Sequence, residues 1–242
     1  MAMNKSEAHF ASYLTSTGHL WVREPKVLGT VPDFKVDEAV ICEVASIEKN
    51  HLPGPIGVTD APKPVRDKIR NKWKQSDAAR RARLPFVLVI HRTSGMAFLD
   101  TEILAAALYG DLGYQGEFDP RTGRAADFQS SFLDRGVVYP DGNRGLSALA
   151  VLEDVNPTQP VLDRALAAVT DPTAPFADRV TKRMEVLQQL RERGDYDAHA
   201  RATRLRVLHS LESEIPLPNQ FFRGPLDQEF GIVGGRFAQL DR

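Results

Sequence analysis

Asp33 and Glu43 stand ten residues apart in the stretch VPDFKVDEAVICEVAS, Val31 to Ser46, each in a short apolar run that otherwise has the composition of a strand. Two carboxylates brought side by side form an oxygen-only donor pair suited to Mg²⁺, which takes oxygen ligands at roughly 2.0–2.1 Å and fills the rest of its shell with water or phosphate oxygens. Whether these two acids meet depends on the register of the hairpin that carries them.

Strand side chains alternate between two faces, so loop length decides which residues pair. A two-residue loop at Asp37-Glu38 pairs Val36 with Ala39 and Asp33 with Cys42, which places a charge among Val40, Cys42 and Val44 at a cost of several kcal/mol. A three-residue loop, Asp37 to Ala39, pairs Val36 with Val40, Phe34 with Cys42 and Asp33 with Glu43. One face then carries Pro32, Phe34, Val36, Val40, Cys42 and Val44, and the other Asp33, Lys35, Glu43 and Ala45 with Val31 and Ile41. Burial selects this second register and sets the acids directly opposite, with Cβ atoms roughly 4.5–5.5 Å apart, where like charges destabilise a sheet. A divalent cation offsets that repulsion, and so do Lys35 and other nearby bases on a solvated face.

Pro32-Asp33 followed by Glu43-Val44-Ala45, in an order of helix, strands, basic helix and buried strand from about Asn4 to His91, resembles the PD-(D/E)XK nuclease superfamily. The resemblance covers somewhat over a third of the chain. It implies an α/β fold of restriction-endonuclease-like type, a mixed β-sheet flanked by helices, here as one domain with a core of about 4–110 and a C-terminal elaboration of about 111–242. It further implies that Asp33, Glu43 and the Val44 carbonyl hold Mg²⁺ or Mn²⁺, with assistance from Glu7 on the first helix and Gln75 on the helix after the motif strands. The activity implied is metal-dependent phosphodiester hydrolysis, foremost as an endonuclease on double-stranded DNA. The family's motif lysine falls at position 45, and this chain has Ala45 there. Three explanations stand open: a Lys→Ala replacement in an otherwise working site, transfer of the lysine's role to Lys35, Lys68 or Lys72, or a nuclease fold that has become a nucleic-acid or protein-binding module.

Between Val65 and Arg83 the sequence predicts one helix with Ile69, Trp73 and Ala79 on one side. It carries Arg66, Lys68, Arg70, Lys72, Lys74, Arg80, Arg81 and Arg83 against Asp67 and Asp77. Some 18 residues of helix span about 27 Å, enough to follow several phosphates of a duplex. Lys35, Arg66, Lys68, Arg70, Lys72 and Lys74 are the expected phosphate contacts. They supply affinity without a base code.

Around these residues the elements are ordinary. A first helix over Asn4 to Thr17 is capped by Asn4 or Ser6 and stopped by Gly18. Antiparallel strands fill 19–46, a Pro/Gly-rich loop covers HLPGPIGVTDAPKP, and LPFVLVIH is a buried strand. Further on, AFLDTEILAAALYG reads as a short strand or helix, 111–124 as a loop, GLSALAVLED as a strand, Phe176 to Arg193 as a helix, RLRVLHSL as a late strand and IPLPNQFFRGPLDQEFG as an irregular tail. With 242 residues, 42% of them hydrophobic, and a net charge of -1, the chain can bury a full core and is not a globally basic nucleic-acid binder. The single Cys42 excludes an intramolecular disulfide and a multi-cysteine metal site, and it reads as a core residue. No run of about 18 apolar residues and no signal-peptide core is present, so a cytoplasmic protein is expected, with no membrane partner and with homo-oligomers open. The six histidines show no metal spacing. Lacking a Walker loop and a GxGxxG after a strand, the sequence does not point to a nucleotide-dependent small-molecule enzyme.

Overall fold

The computed structural model describes residues 2–47, 62–93, 99–110, 112–119, 124–132, 144–169, 171, 173–211, 213–233 and 236–240. The chain divides into two compact units, Met1–Glu153 with Leu205–Arg242, and Asp154–Arg204. In chain order the first unit opens with α1 (Lys5–Ser16), β1 (Trp21–Arg23), β2 (Phe34–Val36) and β3 (Val40–Ile47). Then come α2 (Lys63–Asn71), α3 (Trp73–Arg81), β4 (Phe86–Arg92), α4 (Thr101–Tyr109), β5 (Leu112–Asp119), β6 (Arg124–Phe132) and β7 (Leu146–Val155). The second unit holds α5 (Gln159–Val169) and α6 (Phe176–Glu192), after which β8 (Ala202–His209), β9 (Gln228–Val233) and β10 (Arg236–Gln239) return to the first.

Eight strands form one mixed sheet in the order β1-β2-β3-β4-β7-β8-β9-β10, while β5 and β6 pair apart from it. β1, β2 and β3 are antiparallel neighbours, and β4 runs parallel to both β3 and β7. The sheet thus takes half of its strands from beyond residue 110, so the C-terminal sequence completes the core sheet. Helices cover both faces. α1 lays Phe10 and Leu14 against Phe34, Val36, Cys42 and Val44, and α2, α3 and α4 close over Ile41, Ala45, Ile47, Leu88 and Ile90. Each fully buried Phe or Leu in these layers contributes about 1.5–3 kcal/mol.

The hairpin takes the register expected from burial, with Val36 opposite Val40 and Phe34 opposite Cys42. Asp37 and Glu38 sit at φ 51° and 56°, and the Ala39 amide donates to the Val36 carbonyl at 2.9 Å. The tight turn is therefore closed across two residues, and Ala39 is the extra, bulged residue that shifts the pairing by one. Asp37 also ties the turn to the end of α1, accepting from the Leu20 amide at 2.8 Å and meeting His19 Nδ1 at 2.6 Å. Asn4 caps α1 as expected, in a capping box with Glu7.

Elsewhere the structure corrects the sequence reading. The single helix expected over 65–83 is two helices that part at Lys72, and Trp73, expected on the inner side, is 55% exposed. The stretch expected as a loop from 111 to 124 holds β5 and the start of β6; residues 111 and 120–123 lie outside the described residues, as does most of the loop expected after β3. In the supposed irregular tail, Gln228 opens β9, and Phe222 is buried against α1. Within AFLDTEILAAALYG, residues 97 and 98 lie outside the described residues and Thr101–Tyr109 forms the helix α4, and α5 has no counterpart in the sequence reading. Long-range buried pairs fasten the late strands. Asp227 accepts from Tyr13 Oη at 2.5 Å and from the Leu205 amide at 2.8 Å, and Arg206 Nε meets Glu153 at 2.8 Å.

The helix break follows from what each half packs against. On α2, Val65 and Ile69 are buried and Arg66 donates to the Ala106 carbonyl of α4. On α3, Ser76 is fully buried where the chain enters β7, and a Cβ on Gly145 would lie 2.6 Å from the Ser76 carbonyl oxygen. Gly145→Ala should therefore push α3 off the sheet at a cost of about 1–3 kcal/mol, a melting temperature lower by roughly 3–10 °C. Thermal unfolding of the variant checks this; an unchanged transition would mean that the close approach does not constrain α3.

Candidate functional site

The site is built where β2 stops and β3 continues. Beyond the last cross-strand pair, Phe34 with Cys42, the Asp33 amide donates to Glu43 Oε2 at 3.1 Å and the Val44 amide donates to Asp33 Oδ2 at 2.7 Å. Each acid is thus gripped by the backbone beside the other. Amide and carbonyl of one strand residue point to the same edge, so the Val44 carbonyl faces the gap that Asp33 occupies. Glu43 is only 2% exposed, and Asp33 is half-buried.

Burial raises the carboxyl of Asp33 above its ordinary range, against the Val44 hydrogen bond and with Glu7 adding to the rise. Burial likewise raises that of Glu43, helped by the charge of Asp33 and opposed by Lys72. Cys42, fully buried on the other face of β3, has its thiol pushed well up by burial and then by the same two acids, so it is an inert core residue as expected.

Lys72 is the cation that reaches the pair. Its Nζ contacts Glu43 Oε1, and it does so from the break between α2 and α3. Ala45 shares the face of Glu43, two residues on, and packs in the core layer with Ile69; together with Lys68 and Lys72 it lines a cleft of about 670 Å³. Lys35, by contrast, pairs with Glu38 at the turn end of the hairpin, away from Glu43. Of the three lysines considered for the role missing at position 45, Lys72 contacts an acid of the pair and Lys68 lines the cleft.

The other expected site residues divide. Glu7 lies close enough to act electrostatically on Asp33, and its carboxylate bonds to Asn4 and to Arg23 at 3.3 Å. Gln75 is half-buried on α3 and does not line the cleft. Arg66, expected at phosphate, is 8% exposed and turned onto α4, whereas Arg70 and Lys74 are exposed. Arg80 and Arg81 pair with Asp77, and Arg80 also with Glu214. Sequence reasoning missed Asn71, which lines the cleft beside Ser46 without belonging to a motif.

Asp33, Glu43 and the Val44 carbonyl make an all-oxygen donor set that fits a hard divalent cation. Among the described residues no group of three His, Cys, Asp or Glu side chains could hold a metal, so water and substrate oxygens would have to complete the shell. That is the usual habit of Mg²⁺.

A raised carboxyl pKa in the folded chain means that folding favours the protonated acid. This contribution is fullest at low pH and is lost as pH rises through the raised value. Without metal, Asp33→Asn should then melt above the parent near neutral pH. The gap should close toward about pH 4, where carboxyls protonate in the unfolded chain as well. Mn²⁺ should raise the parent's transition and leave that of Asp33→Asn in place. Melting curves in EDTA and in Mn²⁺ across pH decide the matter, and a gap independent of pH would show that the Asp33 charge is not strained.

No helix among the described residues is long and apolar enough to cross a membrane. No protein-family model matches the chain, and no curated protein or solved structure does either.

Proposed function

We propose that the chain is a metal-dependent nuclease of restriction-endonuclease-like architecture, cleaving phosphodiester bonds in nucleic acid, with double-stranded DNA the foremost substrate. The observation that carries this reading is the mutual backbone grip on Asp33 and Glu43. A fold that only needed stability would not hold two repelling acids together in a buried setting, where both are driven toward protonation.

A bound Mg²⁺ or Mn²⁺ would polarise a phosphoryl oxygen and lower the pKa of water. The chain's own residues do the rest. Asp33, Glu43 and the Val44 carbonyl present oxygens on one edge, held by β2, β3 and the bulge at Ala39. Lys72 rests on Glu43 Oε1, and with a divalent cation held by Asp33, Glu43 and the Val44 carbonyl its ammonium would be free to pair with the phosphate. There it stabilises the charge that develops in the transition state, the task for which position 45 has no side chain. Glu7 and its partner Arg23 keep the far side of Asp33 polar. Of the three explanations for Ala45, transfer to Lys72 is the one the contact geometry supports.

The reading is tested by incubating the chain with plasmid and with linear duplex in Mg²⁺ or Mn²⁺. Cleavage should occur and should fall by roughly 10²-fold or more in Asp33→Ala and Glu43→Ala, the loss expected when several kcal/mol of metal-borne stabilisation disappear. If DNA remains intact with either ion, the chain is a nuclease-fold binding module instead.

Lys72→Ala should lower the rate by about 10²-fold while leaving Mn²⁺ affinity no weaker than the parent's, because the ammonium and the cation compete for Glu43. Adding Ala45→Lys to Lys72→Ala should restore much of the loss, because both side chains enter one cleft. Single-turnover rates and calorimetric Mn²⁺ titration read the two effects separately; full activity in Lys72→Ala would remove the transferred role.

A further inference from the structure

The cleft beside the carboxylates has a lining that the hydrolytic chemistry alone does not call for. Lys5 from α1 and Lys68 and Lys72 from α2 and its break all line it, and among the described residues no acidic side chain does. Lys72 is held by Glu43, but neither Lys5 nor Lys68 has an ion-pair partner among the described residues. Lys68 and Lys72 line the same cleft, so their like charges repel there. Ser46 and Asn71 add neutral donors to the same walls. Lysines gathered around a concave space without counter-charge lower an anion's energy there, and polar donors orient it.

We propose that this cleft is a phosphate subsite that holds a non-scissile phosphate of the substrate strand. The assignment to a substrate strand rests on the nuclease reading; the affinity for phosphate does not. The cleft runs from Val44 and Lys72, beside the carboxylates, to Ser46, three residues beyond Glu43 and about 10 Å along the strand, so its far end takes a phosphate other than the one at the carboxylates. At about 670 Å³ the cleft has room for a nucleotide along with its phosphate. That guest is either an internal phosphodiester of a chain running through the cleft or a terminal phosphate monoester that ends in it.

Binding of fluorescently labelled DNA in EDTA, where no hydrolysis occurs, tests the subsite apart from the activity. The probes are one oligonucleotide with a 5′-phosphate, with a 3′-phosphate or with neither, single-stranded and duplex, titrated across salt concentration. Lys5→Ala and Lys68→Ala should each weaken binding several-fold and reduce the slope of log K against log salt by about 0.7–0.9. Lys68→Glu should weaken it further, and Lys182→Ala on α6 should match the parent. Equal affinity of all three oligonucleotides identifies an internal phosphate, and tighter binding of one phosphorylated end, lost in Lys68→Ala, identifies a terminal one. Parent-like affinity and salt slope in both Lys5→Ala and Lys68→Ala, with parent-like melting, would overturn the proposal. Absence of cleavage in metal would sink the nuclease reading and leave this result standing.

Discussion

Backbone amides, rather than the acids' own side chains, set the geometry of the Asp33 and Glu43 pair. The Asp33 amide holds Glu43, and the Val44 amide holds Asp33. Charge-assisted bonds of this kind are roughly twice as strong as neutral ones, and they act here against burial and against mutual repulsion, both of which push the carboxyls toward protonation. The clasp exists only in one register. Slipping β2 against β3 by one residue would turn Asp33 into the layer of Phe34, Val36 and Cys42 under α1, so the apolar packing of that layer keeps the acids in place from a distance. The bulge at Ala39 and the ties from Asp37 to His19 and Leu20 fix the turn that sets the register.

A second constraint is that one basic segment must satisfy two different neighbours. α2 docks through Val65, Ile69 and Arg66 beside α4, and α3 docks where Gly145 lets the backbone at Ser76 come close. One straight helix cannot meet both, and the change of direction falls at Lys72. The residue at the corner is therefore aimed inward although its neighbours Asn71 and Trp73 are exposed, and inward at this height on the sheet means toward Glu43. Packing at some distance from the acids thus delivers the one lysine that contacts them among the described residues.

The legible and illegible parts of the sequence separate along this line. The hairpin register could be read because a single local fact, the cost of burying Asp33 among apolar groups, decides between two pairings. The cap of α1 and the buried β4 were legible for the same reason, since Asn4 and the run FVLVIH act within a few residues of themselves. The break at Lys72 was not, because no Gly or Pro marks it and its cause lies seventy residues on at Gly145. Nor was the return of the tail as β9 and β10, which depends on buried partners such as Asp227 with Tyr13 and Leu205, far apart in the chain. In the candidate site this means that the acids were readable and the lysine only as one of three, Lys35, Lys68 or Lys72: eight basic residues between 66 and 83 look alike, and only tertiary packing distinguishes Arg66, turned onto α4, from Lys72.

Placing the cation on a helix corner instead of on β3 changes what it can do. Position 45 sits on the strand beside Ile69 at the edge of the cleft, so the reach of a lysine there would be fixed by β3. Lys72 is anchored at a break, is half-buried, and can rest on Glu43 when the acids lack another counter-charge. The ammonium offsets the repulsion of the clasp through Glu43. On the proposed reaction, a divalent cation held by Asp33, Glu43 and the Val44 carbonyl would supply that offset itself and leave Lys72 free for a phosphate, so charge balance in the site would couple the two requirements.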